Sequence, residues 1–296
     1  MVAARKTHFG MPVGQLFPHP ENFKGEIGLE IEVEGKNLPK AIKSYWKVER
    51  DGSLRGESAE YILKAPIKRT QVKPFVKYLA KQFVAAKAHL DFSMRTSVHV
   101  HVNVADMNMV QCYTFVMLYL LFEDLMASFA GPSRVGNLFC LRARDAEFFV
   151  DCLTKMAKTR VFNPEPEMLR YASVNVCAIQ KFGSVEFRAL RGTIDHEIIG
   201  TWVYLLTSIL DASLNYKSPL EVVGDLSRLG PEKMLQNVFG ENWQLLTQDP
   251  GWENLVWDAA RLVQEVAYAT KWDAPIGRLG RMFPIDNVNE DVDIRE

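Results

Sequence analysis

The stretch EIGLEIEVE, residues 26–34, alternates between polar and apolar side chains from Gly28 onward. Alternation at period two marks a strand with two unlike faces, because successive side chains leave opposite sides of the backbone. Leu29, Ile31 and Val33 then pack behind, while Glu30, Glu32 and Glu34 share the other face. Three carboxylates this close repel and raise one another's pKa unless a cation sits among them. Mg²⁺ takes hard oxygen ligands of this kind. A solvated strand face is the competing explanation, but such a face ordinarily mixes Lys and Thr with Glu.

Two further segments carry the same period. SVHVHVNV, residues 97–104, puts His99, His101 and Asn103 on one face and four valines on the other. Neutral imidazoles ligate metals and protonated ones bind phosphate. In VEFRALRG, residues 185–192, Glu186 and Arg188 share a face opposite Val185 and Phe187. The planar fork of arginine suits phosphate and carboxylate oxygens, although a cross-strand ion pair would use the same residues. The run ERDGSLRGESAEYI, residues 49–62, places Asp51 and Ser53 at a turn and Glu60 at the head of an apolar strand, as a further carboxylate. Arg134, Asn137, Arg142 and Arg144 in SRVGNLFCLRAR offer phosphate or carboxylate contacts, and a surface helix start explains them equally well. Three strands far apart in sequence thus expose acids, imidazoles and guanidinium groups on one face. A hollow so lined is costly to assemble without ions to neutralise it.

The rest of the chain supplies helices. Apolar periodicity predicts helices over 71–90, 107–130, 143–159, 195–216 and 252–270, with Asp195 as an N-cap and Gly131-Pro132 as a stop. Two short strands are expected in 44–66 around Asp51-Gly52, and two more at 172–179 and 183–190. Short strands among long helices imply an α+β domain on an antiparallel sheet. Residues 1–25 read as an N-terminal arm, 26–285 as one domain with its motifs in 26–205 and a helical part in 206–285, and 286–296 as an acidic tail. A net charge of −1, from 35 basic and 36 acidic residues, gives no support for bulk binding to nucleic acid or membrane. Cys112, Cys140, Cys152 and Cys177 form no C-x-x-C pair and read as free thiols of a reducing cytoplasm. Residues 1–14 lack the apolar stretch of a signal peptide, and the run 112–122 is too short to span a bilayer.

The stretches GLEIEVEG (28–35), DGSLR (51–55), EYILKAP (60–66), SVHVHVNV (97–104), YASVNV (171–176) and GSVEFRALRGT (183–193), in that order, resemble the amidoligases of phages and bacteria. These belong to the glutamine synthetase and glutamate–cysteine ligase superfamily. The likeness covers roughly residues 25–205; the segment beyond 217 resembles nothing named. It implies a curved antiparallel sheet, glutamine synthetase-like, with helices on its convex side and ATP and Mg²⁺ (or Mn²⁺) on its concave side. Glu30, Glu32, Glu60, His99 and Glu186 would hold metal. His99, His101, Asn103 and Arg188 would contact the nucleotide. Glu30, Glu60, Arg188 and Arg191 would serve catalysis, with Arg191 on phosphate or the substrate carboxylate. Glu34 receives no role, and Asn175 at most a substrate or nucleotide contact.

The implied activity is ATP-dependent joining of a carboxylate to an amine through an acyl phosphate. Its substrates would be small molecules or peptides, in the cytoplasm (a host's, if phage-encoded). A companion glutamine amidotransferase or ATP-grasp ligase is the kind of partner such enzymes have. Two alternatives stand beside it. One is a non-haem iron or zinc enzyme using His99, His101 and Glu186, as H-x-H strands do elsewhere. The other is a catalytically silent binding protein of the same fold.

Overall fold

A computed structural model describes residues 9–17, 25–165, 169 and 171–273. The acidic tail 286–296, and residues 274–285 of the expected domain, lie outside these. The strands are β1 (Ile27–Lys36), β2 (Trp46–Glu49), β3 (Ser58–Leu63), β4 (His89–Asp91), β5 (Ser97–Asn103), β6 (Val174–Asn175) and β7 (Ser184–Arg191). They form one antiparallel sheet in the order β2-β3-β1-β5-β7-β6, with β4 on the far end of β1. The sheet is open, so the mixed α/β architecture with an antiparallel sheet is the one expected.

Register follows from the alternation. Leu29, Ile31, Val98, Val100 and Phe187 are at most 1% exposed and form the apolar face. Helix α3 (Met109–Ala130) crosses behind it, and Phe115 and Tyr119 set their rings edge-on against Phe187. Its start is written in the sequence: Asn108 Oδ1 accepts from Gln111 N at 3.0 Å while Gln111 Oε1 accepts from Asn108 N at 2.9 Å, a reciprocal cap. Gly131, at φ 122°, ends it as expected. This helix is longer than the 112–122 run. By length and composition it could cross a membrane, yet it is buried along nearly its whole length, as a core helix is. We expect Phe187→Ala to cost about 3–5 kcal/mol, read as a lowered denaturant midpoint; a loss under about 1 kcal/mol would contradict this packing.

The remaining helices are α1 (Val13–Leu16), α2 (Val72–Ala85), α4 (Glu147–Thr159), α5 (Ala178–Phe182), α6 (His196–Ser213), α7 (Pro219–Phe239) and α8 (Trp252–Ala267). Asp195 caps α6 as foreseen, accepting from Glu197 N at 2.8 Å. Three sequence expectations change. The helix expected over 71–90 stops at Ala85; Lys87 turns to φ 52° and His89–Asp91 returns as β4. The strand expected over 172–179 shrinks to Val174–Asn175, because Asn175 Oδ1 accepts from Cys177 N and turns the chain into α5. Inside the helical part expected over 206–285, the helix over 219–239 takes bounds that the periodicity did not set, with a break at Gly230, where φ is 77°. Within the expected arm, Phe9 and Val13 are buried in the core.

Candidate active site

The polar face of the sheet collects side chains from five strands and one turn. Glu30 faces His99 across the β1–β5 ladder, Glu32 faces Glu60 across β1–β3, and His101 faces Glu186 across β5–β7. Gly28 lies opposite His101, and a Cβ there would stand 3.2 Å from the His101 Cβ. The groups are close. His99 Nδ1 is 3.2 Å from Glu30 Oε2 and 3.6 Å from Glu186 Oε1; His101 Nε2 is 3.4 Å from Glu30 Oε1. Arg188 Nη1 donates to Glu186 Oε1, whose other oxygen accepts from Asn175 Nδ2 at 2.7 Å.

Three overlapping donor groups result: Glu30–His101–Glu186, Glu30–Glu60–His99 and Glu32–Asp51–Glu60. In each, one ligand atom per residue lies within 4.8 Å of the others. Glu30 and Glu60 each belong to two groups, so the groups form a continuous row. Each contains two or three carboxylates and at most one imidazole. Hard divalent cations prefer that composition.

Second-layer contacts fix the imidazoles. Ser97 N and Oγ both donate to Glu32 Oε2, at 2.8 and 2.6 Å. The Ser97 hydroxyl proton is thereby committed, so its oxygen accepts from His99 Nε2, 2.7 Å away. His99 Nδ1 is then the atom turned toward Glu30 and Glu186, either protonated or with its lone pair free for a metal. Ser184 Oγ lies 3.0 Å from His101 Nδ1 and orients the second ring.

Electrostatics separate these acids. Burial, then the charges of Glu30, Glu32 and Asp51, push the Glu60 carboxyl up to about 9. Burial also raises Glu32, against the pull of His99 and Ser97. For Glu30 burial acts upward, but hydrogen bonds and charge from His101 and His99 overcome it and hold the carboxyl far below its usual range. Glu186 is likewise raised by burial yet lowered on balance by Arg188, His101 and His99. Burial opposes charge on His101, but Glu30 and Glu186 keep it above the ordinary histidine value. Glu60 therefore holds a proton at neutral pH where Glu30 and Asp51, both lowered, hold charge.

A cation entering beside Glu60 displaces that proton. We expect Mg²⁺ binding at pH 7.5 to release about one proton, read as the dependence of binding heat on buffer ionisation enthalpy. Release should vanish in Glu60→Gln. Binding to the unchanged chain without release at pH 7.5 would contradict the placement. Without metal, a folded-state pKa raised from 4.5 to about 9 costs stability progressively as pH rises between those values.

The buried Arg188 Nε has no hydrogen-bond partner, and His101 Nε2 has only the 3.4 Å approach to Glu30 Oε1. Beside Glu30 and His101 opens a cavity of about 200 Å³, lined among others by Gly28, Ile62, Pro66, Phe182, Lys47 and Asn103. Phe182 meets the His101 ring edge-on at 5.6 Å.

Of the residues singled out in the sequence, Glu30, Glu32, Glu60, His99, His101, Glu186 and Arg188 come together. Asn103 lines the cavity while its amide binds Gly25 O and Ala105 N. Arg191 does not join them: its guanidinium donates to the Phe129 and Ala130 carbonyls at the end of α3. Glu34 accepts from Arg55 N at 2.8 Å and so holds the 50–57 connection. Arg142 and Arg144 pair with Asp124, and Arg134 is buried with its guanidinium on the Arg188 and Ala189 carbonyls. Ser97 and Ser184 were overlooked, although Ser97 stands two residues before His99 on the same strand face. Asp51, noted only as a turn residue, enters a donor group, and Asn175 orients Glu186. No protein-family model and no curated protein matches the chain.

Proposed function

We propose that the chain is an ATP- and Mg²⁺-dependent (or Mn²⁺-dependent) amidoligase of the glutamine synthetase and glutamate–cysteine ligase kind. One observation carries this: a row of three overlapping carboxylate-rich donor groups on one sheet face, with the Arg188 guanidinium beside it. Phosphoryl transfer needs that combination of adjacent cation sites and a fixed positive charge. The donor chemistry fits the ions, since a neutral Glu60 among three acids is where a cation replaces a proton. Glu30, Glu32, Asp51, Glu60, His99, His101 and Glu186 would hold them. In this reading the sheet is curved, its helices cover the convex side, and the cavity at Phe182 takes the base of the nucleotide.

Mg²⁺ held by these residues would supply positive charge that offsets the charge on the phosphate oxygens. Arg188 would turn its unpaired Nε toward the γ-phosphate. The substrate carboxylate attacks the γ-phosphorus, the bond to the bridging oxygen breaks, and ADP leaves. An amine then attacks the acyl carbon, a carboxylate of the row removes its proton, and phosphate departs. The substrates are small-molecule or peptide acids and amines in the cytoplasm, and a glutamine amidotransferase or ATP-grasp ligase is a fitting companion. Against iron or zinc held by both histidines stands the composition of the donor groups, none of which contains two imidazoles.

The test is ADP release on mixing the chain with ATP, Mg²⁺ and pools of acids and amines. Release that needs an acid, an amine and the divalent ion together supports the ligase. ATP binding without turnover against any pool would make it a silent binder, and tightly held iron or zinc would replace the reading altogether.

A further inference from the structure

Strands β5 and β7 lose register beside the row of acids. Val98 pairs with Leu190 and Val100 with Phe187, so His99 faces two residues, Arg188 and Ala189. That is a β-bulge on β7, and bulges re-aim side chains at the cost of ladder hydrogen bonds. The carbonyls at this bulge are met by a side chain from outside the sheet. Arg134 Nη2 donates to Arg188 O at 3.0 Å, and its Nε donates to Ala189 O at 3.1 Å. Its Nη1 reaches across to the segment entering β5, donating to Met94 O at 3.2 Å and Thr96 O at 3.4 Å.

Arg134 is 1% exposed, and its guanidinium hydrogen bonds go to main-chain carbonyls. Burying a guanidinium without a bonded carboxylate is expensive. A side chain of the same length without charge would fill the space more cheaply, so the bonding pattern itself needs an explanation. Two of its acceptors belong to the two residues of the bulge. A ladder made regular here would turn either Arg188 or Leu190 to the wrong face, because a slip of one residue exchanges faces. Leu190 is fully buried in the core, and Arg188 must stay on Glu186.

We propose that Arg134 is a positioning residue: it fixes the β7 bulge, and the bulge holds the Arg188 guanidinium over the acidic row. Its importance for turnover rests on the ligase reading; its effect on Arg188 does not.

The experiment reads Arg188 directly. In chain labelled with ¹⁵N-arginine, the Arg188 guanidinium signals are assigned by their loss in Arg188→Lys. Solvent exchange of those protons is then measured in Arg134→Lys and Arg134→Gln, each first checked for a cooperative melt; if one fails to fold, the other decides. We expect exchange at Arg188 to quicken by at least about tenfold, while the Arg69 signals, paired with Asp211 between α2 and α6, stay unchanged. Unchanged Arg188 exchange in a folded variant overturns the proposal, as does equal quickening at Arg69. Mn²⁺ and ATP binding to the wild-type chain are measured alongside. Absent binding with loosened Arg188 sinks the ligase reading and leaves the Arg134 role standing. Present binding with Arg188 unmoved does the reverse.

Discussion

Glu30→Gln is expected to lower Mn²⁺ affinity by at least about a hundredfold and to take ADP release with it. Glu30 belongs to two of the three donor groups, so its loss breaks the row in the middle rather than at an end. It is also the acid that both imidazoles lean on, at 3.2 Å from His99 and 3.4 Å from His101. The amide keeps the shape but neither the charge nor two equivalent acceptor oxygens. Stability should respond with a definite sign. The folded-state pKa of Glu30 lies well below 4.5, so its carboxylate contributes stability above that pH and the contribution fades as pH falls further. The melting-temperature gap between wild type and Glu30→Gln should therefore be widest near neutrality and begin to narrow only as pH falls below 4.5. A second consequence falls on Glu60, whose high pKa owes part of its elevation to the Glu30 charge. With that charge gone, Glu60 ionises more readily, and residual metal binding at pH 7.5 should release less than the wild-type proton. Full Mn²⁺ affinity in a folded Glu30→Gln chain would remove this row from any account of the function.

The legible part of the site was the part written at period two. Glu30 and Glu32, His99 and His101, and Glu186 and Arg188 each sit on strictly alternating strands, and alternation alone places such pairs on one face. Alternation says nothing about which strands adjoin, so the pairing of Glu32 with Glu60, and of His101 with Glu186, needed the fold. It also fails where the backbone departs from it. The adjacent apolar pair Ala189-Leu190 is the trace of the bulge in the sequence. Arg191 entered on the family resemblance and not on the period, standing three residues from Arg188, and its guanidinium goes to the carbonyls at the end of α3. The same limit left α7 without bounds inside the helical part 206–285, where Gly230-Pro231 interrupts the stripe, and let the strand read over 172–179 overrun β6, whose two residues are too few to show a period. Ser97 is different. It shares the face of His99, but a hydroxyl becomes informative only when the Glu32 carboxylate is known to take its proton.

Arg188 separates a structural ion pair from a phosphate-binding charge. Arg188→Ala leaves Glu186, with 7% of its side chain exposed, without its cation, and breaking a buried pair on one side costs about 3–5 kcal/mol. The Glu186 carboxyl should then titrate upward, because burial is its largest influence and Arg188 the first that opposes it. Mn²⁺ binding would shift to higher pH in that variant, since the ion must compete with a proton at one more ligand. Arg188→Lys is the sharper test. A lysine ammonium restores the charge beside Glu186 and should hold stability within about 1 kcal/mol of wild type. It cannot reproduce the planar fork, in which Nη1 is on Glu186 and Nε remains free. If that free edge grips the γ-phosphate, ADP release should fall by about a hundredfold or more in a chain that folds and binds Mn²⁺ normally. If the arginine serves only to neutralise Glu186 and Glu32, the lysine variant should turn over at the wild-type rate. That result would remove Arg188 from the chemistry while leaving the cation row beside it intact.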